Sequence, residues 1–260
     1  MYSLIFQKTM HRVLTYRSEF FIGIIGSIFY VYVQVSIWRA LLSTGMGGDI
    51  SLQEMVTYVI IAFAVRGMTH SDMSYIMSDK IKTGQIAMDF IRPIHLIGYQ
   101  FAEQLSTNCI KMLTQVMPAL ILSAVAWGFM GPASVVHLLF FIISLVFSVL
   151  IMFYLEYIFG LLVFWAKNGT YTDFIMGGLF TVFSGATIPL WFYPEWLRRI
   201  CDVLPFRLIT FEPLQIYLGR LTPDGAFRVL LLQLLWLVFL AVLERLIWSR
   251  VQNLVFVQGG

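Results

Sequence analysis

The chain has 260 residues, of which 59% are hydrophobic and 12% charged, with a formal net charge of +3. Charged residues take about half the share usual in a soluble domain, so a bilayer is the solvent this composition fits. A nucleic-acid-binding surface is excluded, because no basic run with interleaved aromatics occurs.

Residues 1–18 are predicted to form an amphipathic helix. Tyr2, Ile5, Phe6, Met10, Val13 and Leu14 recur at helical spacing, while Lys8, His11 and Arg12 fall on another face. A basic amphipathic helix beside a membrane span lies in the interface plane. The stretch is not expected to be a cleavable signal, since its charges continue through Arg17 and Glu19 into a long apolar run.

About 20 apolar residues cross a hydrocarbon core of about 30 Å. Six stretches qualify: 20–43, 54–72, 104–128, 135–165, 174–192 and 226–248. The expected fold is therefore all-α, a polytopic membrane protein with six transmembrane helices in one domain over 1–260. The fourth stretch is long enough to tilt. Arg66, His70 and Asp72 make the end of the second span unusually polar.

A loop over 73–103 follows. Gly84 can break a helix, Gln85 to Ile91 can form two turns, and Pro93 stops them. Ile86, Phe90 and Ile91 fall toward one side, with Arg92 beside them. Such a helix suits a groove on a soluble partner, or is tucked beneath the bundle. Both readings stay open on composition.

In the third span Glu103 and Lys111 are eight residues apart, too far for a salt bridge along one helix. Arg66, Lys111 and Glu156 are the intramembrane ionisable candidates, each costing about 2.5–3.5 kcal/mol at mid-helix. Glu156 faces a subunit contact or vestibule, or serves as a structural partner for Arg66 or Lys111. No metal is expected, because no second histidine or carboxylate has ligand spacing. Cys109 and Cys201 are not expected to pair.

From Ser184 to Pro223 an apolar span breaks and later resumes. Pro189, Pro194 and Pro205 interrupt helical bonding, and Trp191, Tyr193 and Trp196 favour a membrane boundary. A re-entrant or interfacial segment is predicted over 193–225. Broken backbone at membrane depth survives only where protein or a water-filled cavity satisfies it, a device of transport proteins. Gly177 and Gly178 of span five permit close helix approach.

Orientation follows from Lys8, Arg12 and Arg17, from Lys80, Lys82 and Arg92, and from Lys167, Arg245 and Arg250. With six spans these share one side, which is then cytoplasmic and carries both termini. Arg198, Arg199, Arg207 and Arg220 run against the rule.

Gly84, Phe90, Ile91, Arg92 and Pro93 resemble the "G…LL-R-P" loop of type-2 ATP-binding-cassette (ABC) permeases, most closely the six-span bacterial drug- and antibiotic-export type. Ser184-Gly185-Ala186, Ile188-Pro189-Leu190, Pro194-Glu195-Trp196-Leu197 and Leu204-Pro205-Phe206 resemble the family's "SG..IPL..-P-WL-…-LPF" block. Pro213 and Tyr217-Leu218-Gly219 resemble the "P…-YLG" after it. The resemblance covers essentially the whole chain and departs from the pattern at Asp89.

The resemblance implies a permease subunit of an exporter in the bacterial cytoplasmic (inner) membrane. A separate ABC-type ATPase would drive it, and a second permease, identical or different, would complete the path. Gly84, Ile86, Phe90, Ile91, Arg92 and Pro93 would couple to the ATPase. Pro189, Trp191, Pro194, Trp196 and Pro205 would form an outer gate, and spans two and five the subunit contact. No G-x-x-x-x-G-K-S/T loop is present. ATP and Mg therefore belong to the partner, and no enzyme or cofactor is expected on this chain. Two other readings are a membrane enzyme acting on lipid-linked substrates and a non-transporting anchor or sensor for an ABC-type ATPase. The first needs converging catalytic groups, whereas His70, Asp72 and Glu195 lie on opposite sides. No residue selects a substrate.

Overall fold

The computed structural model describes residues 17–45, 49–86 and 96–258, and every regular element among them is helical. The first half comprises α1 (Arg17–Ser43), α2 (Leu52–Thr69), α3 (Met73–Lys82), α4 (Leu96–Lys111) and α5 (Met117–Trp127). The second half comprises α6 (Val135–Ala166), α7 (Gly169–Phe183), α8 (Glu195–Val203), α9 (Phe211–Tyr217) and α10 (Pro223–Gln258). Short 3₁₀ turns lie at Leu190–Phe192 and Pro205–Leu208. The predicted helix over 1–18 lies largely outside the described residues.

Four stretches of described helix are long and apolar enough to cross a membrane: Ile22–Ser43, Leu96–Trp127, Val135–Ala166 and Pro223–Gln252. The predicted second and fifth spans correspond to α2 and α7, which have 18 and 15 residues and are not among the four. Both stop early for local reasons. His70 turns extended (φ −70°, ψ 137°) and ends α2. Gly185 at φ +76° follows Ser184, the cap of α7, and sits against the Phe211 Cβ and the Tyr58 hydroxyl, where a side chain would not fit.

The third span begins earlier than predicted, because α4 already starts at Leu96. It runs into α5 through a π segment, Met112–Val116. Pro118 accounts for that widened turn: it offers no N–H to the Thr114 carbonyl, and its ring crowds that oxygen. The Thr114 hydroxyl bonds back to the Ile110 carbonyl at 2.7 Å.

The 32-residue α6 is the centre of the fold, and α3, α7, α9 and α10 all pack on it. Ser134 caps its start, accepting from the His137 N–H. At its other end Lys167 turns left-handed, and Asn168 caps α7 by accepting from the Thr170 N–H at 2.9 Å. Met73 and Met77 of α3 are fully buried, lying over Gly160 of α6. With Ile86, Leu96, Phe153, Tyr157, Leu161 and Val251 they make a second apolar cluster, apart from the main core. Gly169 lets α7 start directly against the Ser74 carbonyl of α3.

The two glycine contacts differ in what can yield. A methyl at Gly160 meets the Cγ atoms of buried Met73 and Met77 at 2.9 and 3.2 Å, whereas one at Gly169 meets the Ser74 carbonyl oxygen at 2.4 Å. Gly169→Ala is expected to cost about 1–3 kcal/mol by overpacking and to lower the thermal midpoint in detergent by more than Gly160→Ala does, because side chains can shift where backbone cannot. The reverse order would contradict this seating of α3.

Candidate functional site: two breaks in the helical bundle

The segment from Ser184 to Thr222 leaves helical geometry repeatedly, and side chains from the long helices take up its backbone groups. Tyr58 of α2 donates to the Gly185 carbonyl at 2.7 Å. The Phe211 N–H donates to the Ser184 carbonyl at 3.1 Å. Gln233 of α10, fully buried, donates to the Leu208 carbonyl at 2.9 Å and the Ser144 carbonyl at 3.1 Å, while the Ser148 hydroxyl also donates to Leu208. His137 Nε2 lies 3.0 Å from the Leu221 carbonyl, which can only accept. The proton is therefore on Nε2, and Nδ1 accepts from the Ser134 hydroxyl at 2.7 Å.

The α5–α6 connection joins the same end. The Tyr217 hydroxyl donates to the Met130 carbonyl at 3.0 Å, and the Ala133 N–H donates to the Tyr217 carbonyl at 3.1 Å. Every residue of α9 is buried.

Trp191 is the centre of this end. Its ring packs against Tyr58 and Phe211 at centroid distances of 5.3 and 5.4 Å. The Arg220 guanidinium lies 4.6 Å above it and is paired through two nitrogens with Glu54. Glu54 stands three residues after Ser51, whose hydroxyl caps α2 by accepting from the Glu54 N–H. The glutamate is thus diverted from a capping box to hold the Ser184–Thr222 segment through Arg220.

The predicted gate residues separate. Trp191 is partly buried and packed against the core, whereas Trp196 is 66% exposed on α8. Pro189 and Pro194 directly precede the 3₁₀ turn and α8, and buried Pro205 begins the second 3₁₀ turn. Arg207 forms ion pairs with Asp202 of α8 and, at 3.4 Å, with Glu212 of α9.

The second break lies at the opposite end, between α2 and α3. Buried Glu156 accepts from the Ser71 N–H at 2.9 Å, from the Ser71 hydroxyl, and from Gln104 at 3.0 Å. Gln104 also donates to the Thr69 carbonyl at 3.3 Å, and Asn108 donates to the Met68 carbonyl at 2.8 Å. His70 Nδ1 stands 3.7 Å from the same carboxylate.

Among the described residues Glu156 forms no ion pair with Arg66 or Lys111, the two partners proposed from sequence. Arg66 instead lies 5.9 Å over the Phe180 ring of α7, and Lys111 lines a cavity between α3 and α4. The partners that sequence reasoning missed are neutral: Ser71 and Gln104. Their one legible signal was a polar side chain within an apolar span.

Of the predicted coupling residues, Gly84 has φ +72° and follows the last turn of α3. Ile86 is only 7% exposed, packed in the second apolar cluster and not presented outward. Phe90, Ile91, Arg92 and Pro93 lie outside the described residues. No group of histidine, cysteine, aspartate or glutamate suited to a metal occurs among the described residues.

Two substitutions probe these breaks. Glu156→Leu strands the Ser71 N–H and the Gln104 amide, at about 1–3 kcal/mol for each orphaned group. Glu156→Gln keeps one acceptor and is expected to lose clearly less in thermal unfolding; equal losses would sink the assignment.

At the other end Cys201 is fully buried on the inward side of α8, and burial pushes its thiol up, so it is unreactive while α8 is docked. In a Cys109→Ser background, Arg220→Ala is expected to raise the rate of Cys201 labelling about tenfold, the effect of about 1.4 kcal/mol in local opening. An unchanged rate would show that the Glu54–Arg220 pair does not restrain the segment.

The chain matches the family model described as ABC-2 family transporter protein over residues 28–254. No curated protein and no solved structure matches it.

Proposed function

We infer function from family: the chain belongs to the ABC-2 transporter family, and we propose that it is the permease subunit of an ABC exporter driven by a separate ATPase. The match over residues 28–254 is the observation that carries this reading. On it, α2 and α7 are the second and fifth of six spans. The 18 residues of α2 rise about 27 Å, close to the hydrocarbon thickness. The shorter α7 completes its crossing through the non-helical residues up to Pro189.

The end that gathers Glu54, Met130, Trp191 and Arg220 is then the outer face of a bacterial inner membrane. The end that carries Lys80, Lys82, Lys167 and Arg250 is cytoplasmic, with both termini. The ATPase, holding ATP and Mg, docks at the segment from Gly84 to Pro93. Buried Ile86 ties that segment to the permease, leaving Phe90, Ile91 and Arg92 for the partner. Because Met73 and Met77 seat α3 on Gly160, a push on the segment moves α3, α6 and α7 as one body.

A second permease, identical or different, covers α7. There Tyr171 and Phe174 are 67% and 78% exposed, and among the described residues nothing outside the α7 backbone lies within 4 Å of a Cβ added at Gly177 or Gly178. The Trp191-centred segment is the outer gate.

The test is affinity purification in mild detergent with mass spectrometry of bound chains. An ABC ATPase is expected to co-purify with the wild type, and Phe90→Asp or Arg92→Asp is expected to lose it or to abolish the permease-dependent change in its ATPase rate. A chain recovered without any ATPase, even after crosslinking at residues 84–93, would overturn the reading.

A further inference from the structure

A cavity of about 180 Å³ lies between the turn that separates α2 from α3 and one face of α4. Gln100, Gln104 and Lys111 recur at helical spacing along that face, with Glu103 beside them, and Asp72 faces them from the turn. Met73 and Ile76 supply the apolar part of the wall.

Its buried groups are incompletely satisfied. Gln104 spends its amide nitrogen on Glu156 and on the Thr69 carbonyl, which fixes the amide and leaves its buried Oε1 without a donor. Gln100, 1% exposed, has a buried Nε2 without an acceptor. Among the described residues, neither the Glu103 carboxylate nor the Lys111 ammonium enters an ion pair. Their Cα atoms are about 12 Å apart from the helical rise over eight residues, so the two charges reach toward the cavity from either side.

These demands define a ligand. Water alone answers the two amides and leaves opposite charges unanswered at the edge of a membrane-crossing helix. A simple anion meets two carboxylates, Asp72 and Glu103. A simple cation leaves Lys111 and the Gln100 amide unmatched. A molecule with an ammonium and an anionic group joined by a short apolar bridge meets every demand.

We propose that this cavity binds a zwitterion of the phosphoethanolamine class. The ammonium lies between Asp72 and Glu103, near Gln104 Oε1, and the phosphate lies against Lys111 and the Gln100 amide. Charge-assisted hydrogen bonds at both ends hold it. The site requires that the chain is a membrane protein and depends on no assumption about an ATPase or transport direction.

The test is native mass spectrometry of the full chain in detergent. The probes are phosphatidylethanolamine, phosphatidylglycerol (which lacks the ammonium) and soluble phosphoethanolamine. The wild type is expected to retain phosphatidylethanolamine about tenfold better than phosphatidylglycerol. Glu103→Gln and Lys111→Met are each expected to lower that retention about tenfold, the effect of one charge-assisted bond. Lys111→Arg and Glu103→Asp keep the charges, control for folding, and are expected to restore most of it. Displacement of the lipid by soluble phosphoethanolamine would assign recognition to the headgroup alone. Its failure to displace, with the variants still impaired, would assign it to the whole lipid; both outcomes support the site. Equal retention of the two lipids by the wild type, or variants that bind as the wild type does, would overturn it.

Discussion

A peptide group that leaves a helix within hydrocarbon loses its partner where water cannot replace it, at several kcal/mol for each orphan. Among the described residues two breaks in the bundle, at Ser184–Thr222 and between α2 and α3, are held by buried polar side chains from other helices. Tyr58, Ser148 and Gln233 reach carbonyls of the Ser184–Thr222 segment. Gln104 and Asn108 reach the last carbonyls of α2, and Glu156 takes the Ser71 N–H. Polar bonds between membrane helices average only about 0.6 kcal/mol net. They matter here less for what each adds than for the orphaned groups each prevents.

The two breaks are held in different ways. At the Trp191 end the bonds come from α2, α6 and α10 independently, with ring contacts and the Glu54–Arg220 pair added. Loosening that segment requires several helices to yield together. At the other end three donors converge on one carboxylate, Glu156. Gln104 and Asn108 hold the last carbonyls of α2 beside it, while α3 beyond the turn is seated by Met73 and Met77 on α6.

Much of this was legible in the sequence because its causes are local. Pro189, Pro194 and Pro205 announce the broken segment, and composition announces the bilayer. Helix ends were less legible: the predicted spans run to residues 72 and 192, but backbone turns at His70 and Gly185 stop the helices first. Partners were least legible. Glu156 stood out as a charge in an apolar helix, yet its neutral partners sit 85 and 52 residues away and are defined only by which helices meet. Ile86 read as an outward knob because periodicity gives a face, not what covers it; the second apolar cluster covers it.

Trp191 and Trp196 make the same point in one segment. Both are amphipathic aromatics beside prolines, and sequence gives no reason to separate them. The phase of α8 does. Leu197 and buried Cys201 share the side turned toward the protein, so Trp196, Ile200 and Val203 share the next sector and remain exposed, with Glu195, Arg198, Arg199 and Asp202 opposite. The apolar arc of α8 is wider than the protein alone can cover. Half is satisfied by the core and half requires lipid or the apolar surface of a partner. The seating of α8 therefore depends on what surrounds the chain as well as on the chain itself. Arg207 joins Asp202 of α8 to Glu212 of the wholly buried α9, so the ion pairs link that helix to the core.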